Sequence, residues 1–169
     1  MHIDRYPAVK KHLDKYWPQI STRADKGDTP YNLRNCAYWD DFSRPKLLYS
    51  EIVREPKFYL DPDGQFLPEA TTFMMTGQHL EYLLAVLQSS SGAYFFRHFY
   101  AGGGLGDEGF RYKKAFLIQL PIPPWEDTPL QRQIVAAPAG SNVENLVCAL
   151  YHLTEEEQAQ VTGPAIIRY

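Results

Sequence analysis

A strand-like segment that runs directly into an amphipathic helix is the feature that most constrains the fold of this chain. Residues 70–75 read Ala-Thr-Thr-Phe-Met-Met, a run that favours extended structure. Apolar residues then recur at i, i+3, i+4 and i+7, at Leu80, Leu83, Leu84 and Leu87. Thr76 is predicted to cap this helix. The leucine stripe is predicted to pack in the core of an α/β domain.

The remaining segments predict further strands and helices around this unit. Strands are predicted in KLLYSEIV (46–53) and in FLIQLPIPP (116–124), and KFYL-DPDG-QFLP (57–68) is predicted to form a hairpin. Helices are predicted over residues 3–17, 93–100, 130–137 and 142–153, with Ser141 as a cap, and after a capping box at Thr154. These elements predict an α/β (α+β) fold, a twisted mixed β-sheet flanked by helices with a helical C-terminal block.

Length and cysteine content favour a single soluble domain. The 169 residues are 44% hydrophobic, which is enough apolar material for one core. Cys36 and Cys148 are far apart and belong to no Cys/His cluster, so neither a zinc site nor a disulfide framework is indicated. No leader and no apolar run of membrane-spanning length is seen. We therefore expect a cytoplasmic protein without a membrane partner.

Charge is distributed unevenly along the chain. The net charge is −3, but residues 1–60 contain 11 Lys and Arg against 8 Asp and Glu, and residues 97–114 contain 4 against 2. The other two regions, residues 61–96 and 115–169, are acidic. Any surface for nucleic acid must therefore lie in the two basic regions.

The second basic region ends in an aromatic and cationic run, residues 110–114, which continues into an apolar segment, residues 115–124, that ends in prolines. Together they form the tract Phe110–Pro124. Its guanidinium and ammonium groups are suited to neutralising DNA phosphates, and Arg111 or Tyr112 is suited to contact a base edge or to stack on a base. The same residues also fit an exposed edge strand whose charges prevent aggregation. The tract by itself leaves both interpretations open.

Two motifs resemble catalytic signatures but have the wrong context. Residues 104–109 match GxGxxG, yet they follow a helix and precede a strand, the reverse of a dinucleotide site, so a flexible loop is predicted. Glu55-Pro56-Lys57, with Asp40 and Asp41 upstream, resembles the carboxylate and lysine set of a magnesium nuclease. Pro56 lacks the backbone N–H that a strand donates to its neighbour, so a turn is favoured over a metal-binding strand.

A succession of segments along nearly the whole chain carries a resemblance to a known family. The segments are YPAVKKHLDKY, RADKGDTPYNLR with Tyr38-Trp39, PKLLYSEI, EPKFYLD, ATTFMMTG followed by LEYLLAVLQS, GFRYKK, QLPIPP and NLVCALYHLTEEE. In this order they resemble the TaqI-like C-terminal specificity domain, the target-recognition domain of type II restriction enzymes and of adenine-specific DNA methyltransferases.

The resemblance implies a DNA-reading fragment of a restriction-modification enzyme from a bacterium or archaeon. Residues 1–125 would form the target-recognition domain, and residues 126–169 a helical extension that packs on it or on the absent catalytic half. The NPPY-type and glycine-rich motifs of the methyltransferase half are missing. The fragment is accordingly expected to have no catalytic residue, metal or cofactor. S-adenosylmethionine, and Mg²⁺ for cleavage, would belong to the parent enzyme.

The expected partners are double-stranded DNA and the catalytic methyltransferase portion of the parent chain. The residues expected to contact phosphates are Arg23, Lys26, Arg34, Arg44, Lys46, Lys113 and Lys114. Base-edge or stacking contacts are assigned to Arg111 and Tyr112, with Gln78 and His79 as additional DNA-binding residues.

Two other classes of function remain open. The aromatic patches and acidic helices also suit an interaction domain that binds a protein and no DNA. A small hydrolase would require a pocket with perturbed carboxylates, which the sequence does not indicate.

Overall fold

A computed structural model of the chain describes residues 2–99, 110–138 and 143–163. The chain divides into two compact units, Met1–Asp40 and Asp41–Tyr169. The described strands are β1 (Lys46–Ser50), β2 (Ile52–Val53), β3 (Phe58–Asp61), β4 (Thr72–Thr76) and β5 (Phe110–Arg111). The described α-helices are α1 (Pro7–Asp14), α2 (Trp17–Thr22), α3 (Leu80–Gln88), α4 (Ser90–Phe99), α5 (Lys114–Leu117), α6 (Pro129–Ala136), α7 (Glu144–Leu150) and α8 (Glu155–Thr162). The predicted α/β class is confirmed.

The first unit is built from short helices and turns. The single helix predicted over residues 3–17 is divided, because α1 ends at Asp14 and α2 begins at Trp17. Pro18 lies in the first turn of α2, where its missing N–H costs nothing, and so it begins a helix instead of ending one. None of residues 2–40 is buried, so this unit has no hydrophobic core of its own.

The main sheet of the second unit has the order β3-β1-β4. Both pairs are antiparallel, with Lys46 opposite Asp61 in β3 and opposite Thr76 in β4. Strands β2 and β5 form a separate antiparallel ribbon. Every pair among the described strands is therefore antiparallel, which corrects the prediction of a mixed sheet.

The hairpin predicted at residues 57–68 is replaced by a turn that a side chain closes. The Asp61 carboxylate accepts hydrogen bonds from the backbone N–H groups of Gln65 at 3.0 Å and Phe66 at 2.9 Å. Gly64 has φ +66°, and a Cβ there would collide with the backbone of Ser43. The chain leaves β3 without a second hairpin strand and returns to the sheet at β4, on the other side of β1.

Helix α3 lies between two apolar clusters, and its leucine stripe packs in the core as predicted. Leu80 and Leu87 are buried in the cluster over the sheet, whereas Tyr82 and Val86 face the cluster formed with α6 and α7. The sheet-side cluster also contains Leu47, Tyr49, Phe58, Phe96, Tyr112 and Leu117. The sheet and the C-terminal helices are thus joined through opposite faces of one helix.

Two local predictions are wrong for physical reasons. His79, not Thr76, is the N-cap of α3, and its left-handed φ of 54° turns the chain sharply between β4 and the helix. The strand predicted over residues 116–124 does not form, because α5 takes its first residues and residues 118–124 form turns and irregular structure. The backbone N–H of Leu117 is bonded to the Lys113 carbonyl at 3.0 Å. A short apolar run fits a buried strand or a buried helix equally well, and here packing against the core selects the helix.

The C-terminal helices mostly follow the prediction. Thr154 and Glu157 form the predicted capping box of α8, and Thr128 and Gln131 form another at α6. Helices α6–α8 belong to the same compact unit as the sheet. The domain boundary at residue 125 and the packing of 126–169 on a catalytic half stay predictions. Ser141 and the glycine-rich segment 101–109 lie outside the described residues.

Candidate nucleic-acid interface

The β2–β5 ribbon has one face turned to the core and one turned to solvent. Ile52 is paired with Arg111 across the ribbon, and directly opposed residues share a face. Val53 packs against the sheet-side core, and Tyr112, next along β5, is buried there. Because successive side chains alternate, Ile52 and Arg111 project from the opposite face, where both are exposed.

Tyr112 anchors this ribbon to the core. Its ring is 2% exposed and stacks on Phe96 with centroids 4.0 Å apart and planes 5° apart, while Phe58 meets its edge. Its backbone N–H donates to the Glu51 carbonyl at 2.7 Å. Burial raises the pKa of the Tyr112 hydroxyl to about 12, although nearby Arg97 opposes the shift. The prediction that Tyr112 stacks on a base is therefore corrected, since its ring is already stacked inside the protein.

The cations beside the ribbon are exposed and have no carboxylate partner among the described residues. Arg111, Lys113 and Lys114 follow one another around Tyr112 and are all exposed. Arg54 and Lys57, which follow β2, are exposed as well. The ion pairs of the described chain involve other cations. This group, Arg54, Lys57, Arg111, Lys113 and Lys114, is called the ribbon cations below.

Helix α4 contributes a further cation to the same region. Arg97 is half-buried near the C-terminal end of α4 and donates a hydrogen bond to the Arg54 carbonyl at 3.5 Å. The carboxylates of the surrounding stretch are Glu51, which is half-buried, and Glu55, which is exposed. Among the described residues of this region, six cations therefore accompany two carboxylates, which gives these residues a positive excess. Arg54, Lys57 and Arg97 were missed by the sequence analysis, because their turn and helix carry no basic run.

Lys46 is not available to a phosphate, which corrects its predicted role. Its side chain is 0% exposed, and Nζ donates to Asp61 Oδ2 at 2.6 Å and to the Phe42 carbonyl at 2.8 Å. Burial alone would raise the pKa of the Asp61 carboxyl, but the bonds from Lys46 and from two backbone N–H groups outweigh it and lower the pKa to about 2. The lysine is a structural cation of the sheet.

Three other predicted contacts lie at the opposite end of β1 from the ribbon. Arg44 precedes β1 and forms an ion pair with Asp41 at 3.1 Å. Gln78 and His79 follow β4, and the last residue of β4 is paired with the first residue of β1, so they lie at the same end of the sheet as Arg44. The His79 ring stacks on Trp125 at 4.6 Å and 11°. Gln78 is exposed. A strand of this length spans roughly 14 Å, so these residues and the ribbon form two separate groups.

The first unit holds the remaining predicted cations, Arg23, Lys26 and Arg34. Arg23 is partly buried and donates to the Asn32 carbonyl, and Lys26 Nζ donates to a backbone carbonyl at 3.1 Å. Arg34 lies 3.6 Å from the Asp25 carboxylate, and both side chains are exposed. Each of the three is engaged within its own unit, in contrast to the ribbon cations.

The described residues carry few signs of other chemistry. No three His, Cys, Asp or Glu side chains come together as a metal site within the described ranges. Cys36 and Cys148 are both free thiols, and burial raises the pKa of Cys148. None of the described helices combines the length and apolar character needed to span a bilayer. The exposed cationic ribbon is therefore the feature with the clearest chemical consequence.

Comparison with known proteins does not assign this chain to a family. No protein-family model matches the chain, and no curated protein is significantly similar to it. The function must be inferred from the site.

Proposed function

We propose that this chain is a DNA-recognition domain that contacts duplex DNA through the β2–β5 ribbon and the ribbon cations. The observation that carries the proposal is the placement of Arg111, Lys113 and Lys114, which are exposed around a buried Tyr112 and form no ion pair with another described residue. Exposed cations without carboxylate partners among the described residues have no protein ion pair to break when they pair with phosphates. Their neutralisation releases counterions from DNA, which supplies most of the affinity.

The shape of the ribbon supports a contact in the major groove. That groove is roughly 12 Å wide and admits a two-stranded β-ribbon as well as a helix. The outward face presents Arg111, whose guanidinium is suited to a bidentate contact with guanine O6 and N7. Lys113 and Lys114 lie two and three residues beyond Arg111 and would contact the neighbouring phosphates. The ribbon therefore combines a base-reading group with positioning groups.

The proposal extends to the parent enzyme that the succession of segments implies. The fold would be that of a target-recognition domain of the TaqI-like type, and the chain would be the recognition part of a restriction-modification enzyme acting in the cytoplasm. An adenine-specific methyltransferase portion would flip the base and transfer the methyl group. S-adenosylmethionine and Mg²⁺ would bind to that portion, and this chain would contribute no catalytic residue.

A titration of a fluorescent randomised duplex pool, followed by anisotropy, tests the proposal. The wild-type chain should bind at about 50 mM salt and lose most of its affinity by about 200 mM. The variant Arg111→Ala/Lys113→Ala/Lys114→Ala should bind at least about tenfold more weakly, and its slope of log K against log salt should be smaller by about 2 to 3.

The matched control is Lys10→Ala/Lys11→Ala/Lys15→Ala, which removes the same charge from α1 and its end. It should bind like the wild type. Equal losses in the two triple variants would show that only total charge matters and would remove the ribbon from the proposal. Failure of the wild-type chain to bind even at low salt would reject DNA recognition by this chain and favour a protein partner.

A further inference from the structure

An exposed isoleucine lies in the cationic face of the ribbon. Ile52 is 51% exposed and pairs directly with Arg111, so the two side chains project from the same face. Arg54, two residues further along, and Lys113, two residues beyond Arg111, are exposed as well. An apolar side chain is thus placed next to the arginine that is suited to read a base.

The position of Ile52 separates it from ordinary exposed apolar residues. Single exposed hydrophobic side chains are normal on protein surfaces and need no explanation by themselves. A side chain on a face that meets DNA, however, is desolvated when the complex forms, and an isoleucine gains nothing from a phosphate. The apolar group available in the major groove is the C5 methyl of thymine.

We propose that Ile52 is a specificity-determining residue that packs against the C5 methyl group of a thymine on a base pair adjacent to the G·C pair that Arg111 contacts. The inference rests on the proposed function and deepens it. Cβ atoms of directly opposed strand residues are roughly 4.5–5.5 Å apart, and neighbouring base pairs are about 3.4 Å apart along the axis. The two side chains can therefore reach adjacent base pairs.

Removal of a single methyl group from DNA tests this contact. A preferred duplex is first selected from a randomised pool with the wild-type chain at about 150 mM salt. Each thymine of that duplex is then replaced in turn by deoxyuridine, which lacks only the C5 methyl, and Kd is measured by anisotropy. At one position the wild type should lose about fourfold in affinity, the equivalent of about 0.8 kcal/mol for one buried methyl group.

The same series with Ile52→Ala identifies the protein partner of that methyl group. Ile52→Ala should bind the thymine duplex about as weakly as the wild type binds the deoxyuridine duplex and should show no further loss at the sensitive position. Ile52→Val, which keeps an apolar branch, should retain most of the sensitivity. Leu67→Ala is the control, because Leu67 is 74% exposed outside the ribbon and should keep the full fourfold effect.

Three outcomes would overturn the inference. Deoxyuridine without effect at every position would show that the isoleucine touches no thymine methyl, as would occur if it were a wedge between base steps. An equal loss in the wild type and in Ile52→Ala would assign the methyl contact to another residue. Absence of DNA binding by the wild type rejects the proposed function and the inference together, whereas the first two outcomes leave DNA recognition intact.

Discussion

Lys46 and Arg111 are strand cations of the same compact unit, but their surroundings give them opposite uses. Lys46 begins the central strand, is covered on both sides and has its charge matched by Asp61. Arg111 lies in a two-stranded ribbon, projects to solvent and has no carboxylate partner among the described residues. The comparison shows that the position of a cation in a sheet decides whether it stabilises the fold or remains available to a ligand.

The largest expected effect is the loss of stability when the buried pair is broken. Asp61→Ala leaves the Lys46 ammonium buried without a counterion, and it also removes the acceptor of two backbone N–H groups. We expect Tm, followed by circular dichroism, to fall by roughly 10 °C. Arg44→Ala, which breaks an exposed pair with Asp41, should change Tm by no more than about 2 °C. Similar Tm values for both variants would contradict the structural role of Lys46.

The dependence of stability on pH sharpens the same comparison. The pKa of Asp61 is lowered from 3.8 to about 2 in the folded protein, so its contribution to stability is fully present above pH 3.8 and is lost as the pH falls towards 2. The Tm difference between the wild type and Asp61→Asn should therefore be largest near neutral pH, shrink below about pH 4 and vanish near pH 2. A difference that stays constant across this range would show that the carboxylate charge is not involved.

The ribbon cations should show the opposite behaviour, with effects on binding and none on stability. Arg111→Ala should weaken binding to the selected duplex by about 1–3 kcal/mol and relax specificity at one base pair, as measured by anisotropy with single-base variants. Lys113→Ala should weaken binding to all sequences alike and reduce the salt slope by about 1. Both Tm values should match the wild type, and a large drop in either would assign that residue a structural role.

The smallest expected effect concerns the hydroxyl of Tyr112. This group is buried and has no hydrogen-bond partner in the described part of the chain. Tyr112→Phe should remove the cost of desolvating it, raise Tm by about 2 °C or more and leave DNA affinity unchanged. A clear loss of DNA affinity in Tyr112→Phe, with Tm preserved, would show that the hydroxyl contacts DNA and would contradict its burial.

Local signals predicted several elements correctly. The capping box at Thr154 and the leucine spacing of α3 depend on residues three to seven positions apart, and both are confirmed. The extended character of residues 46–50 and 72–75 was also predicted. The pairing of β1 with β3 and β4 was not predicted. The sequence favoured a local hairpin over residues 57–68, whereas in the structure the Asp61 carboxylate closes a turn there by accepting two backbone hydrogen bonds.

The candidate site was only partly predictable for the same reason. The run Arg111-Tyr112-Lys113-Lys114 indicated a cationic surface, but the burial of Tyr112 depends on Phe96, which is sixteen positions away in the chain. Ile52 meets Arg111 across an even longer separation. No periodicity within either segment indicates these contacts.

By itself, the sequence determined the α/β class, the helices whose apolar stripes and caps are local, and the stretch that carries a run of positive charge. Only the tertiary structure decided that Lys46 and Tyr112 are interior residues, that Arg111 and Ile52 share a face, and that no strand forms over residues 116–124. The physical reason is that propensity and capping act over a few residues, whereas burial, ion pairing and strand register depend on segments that are distant along the chain.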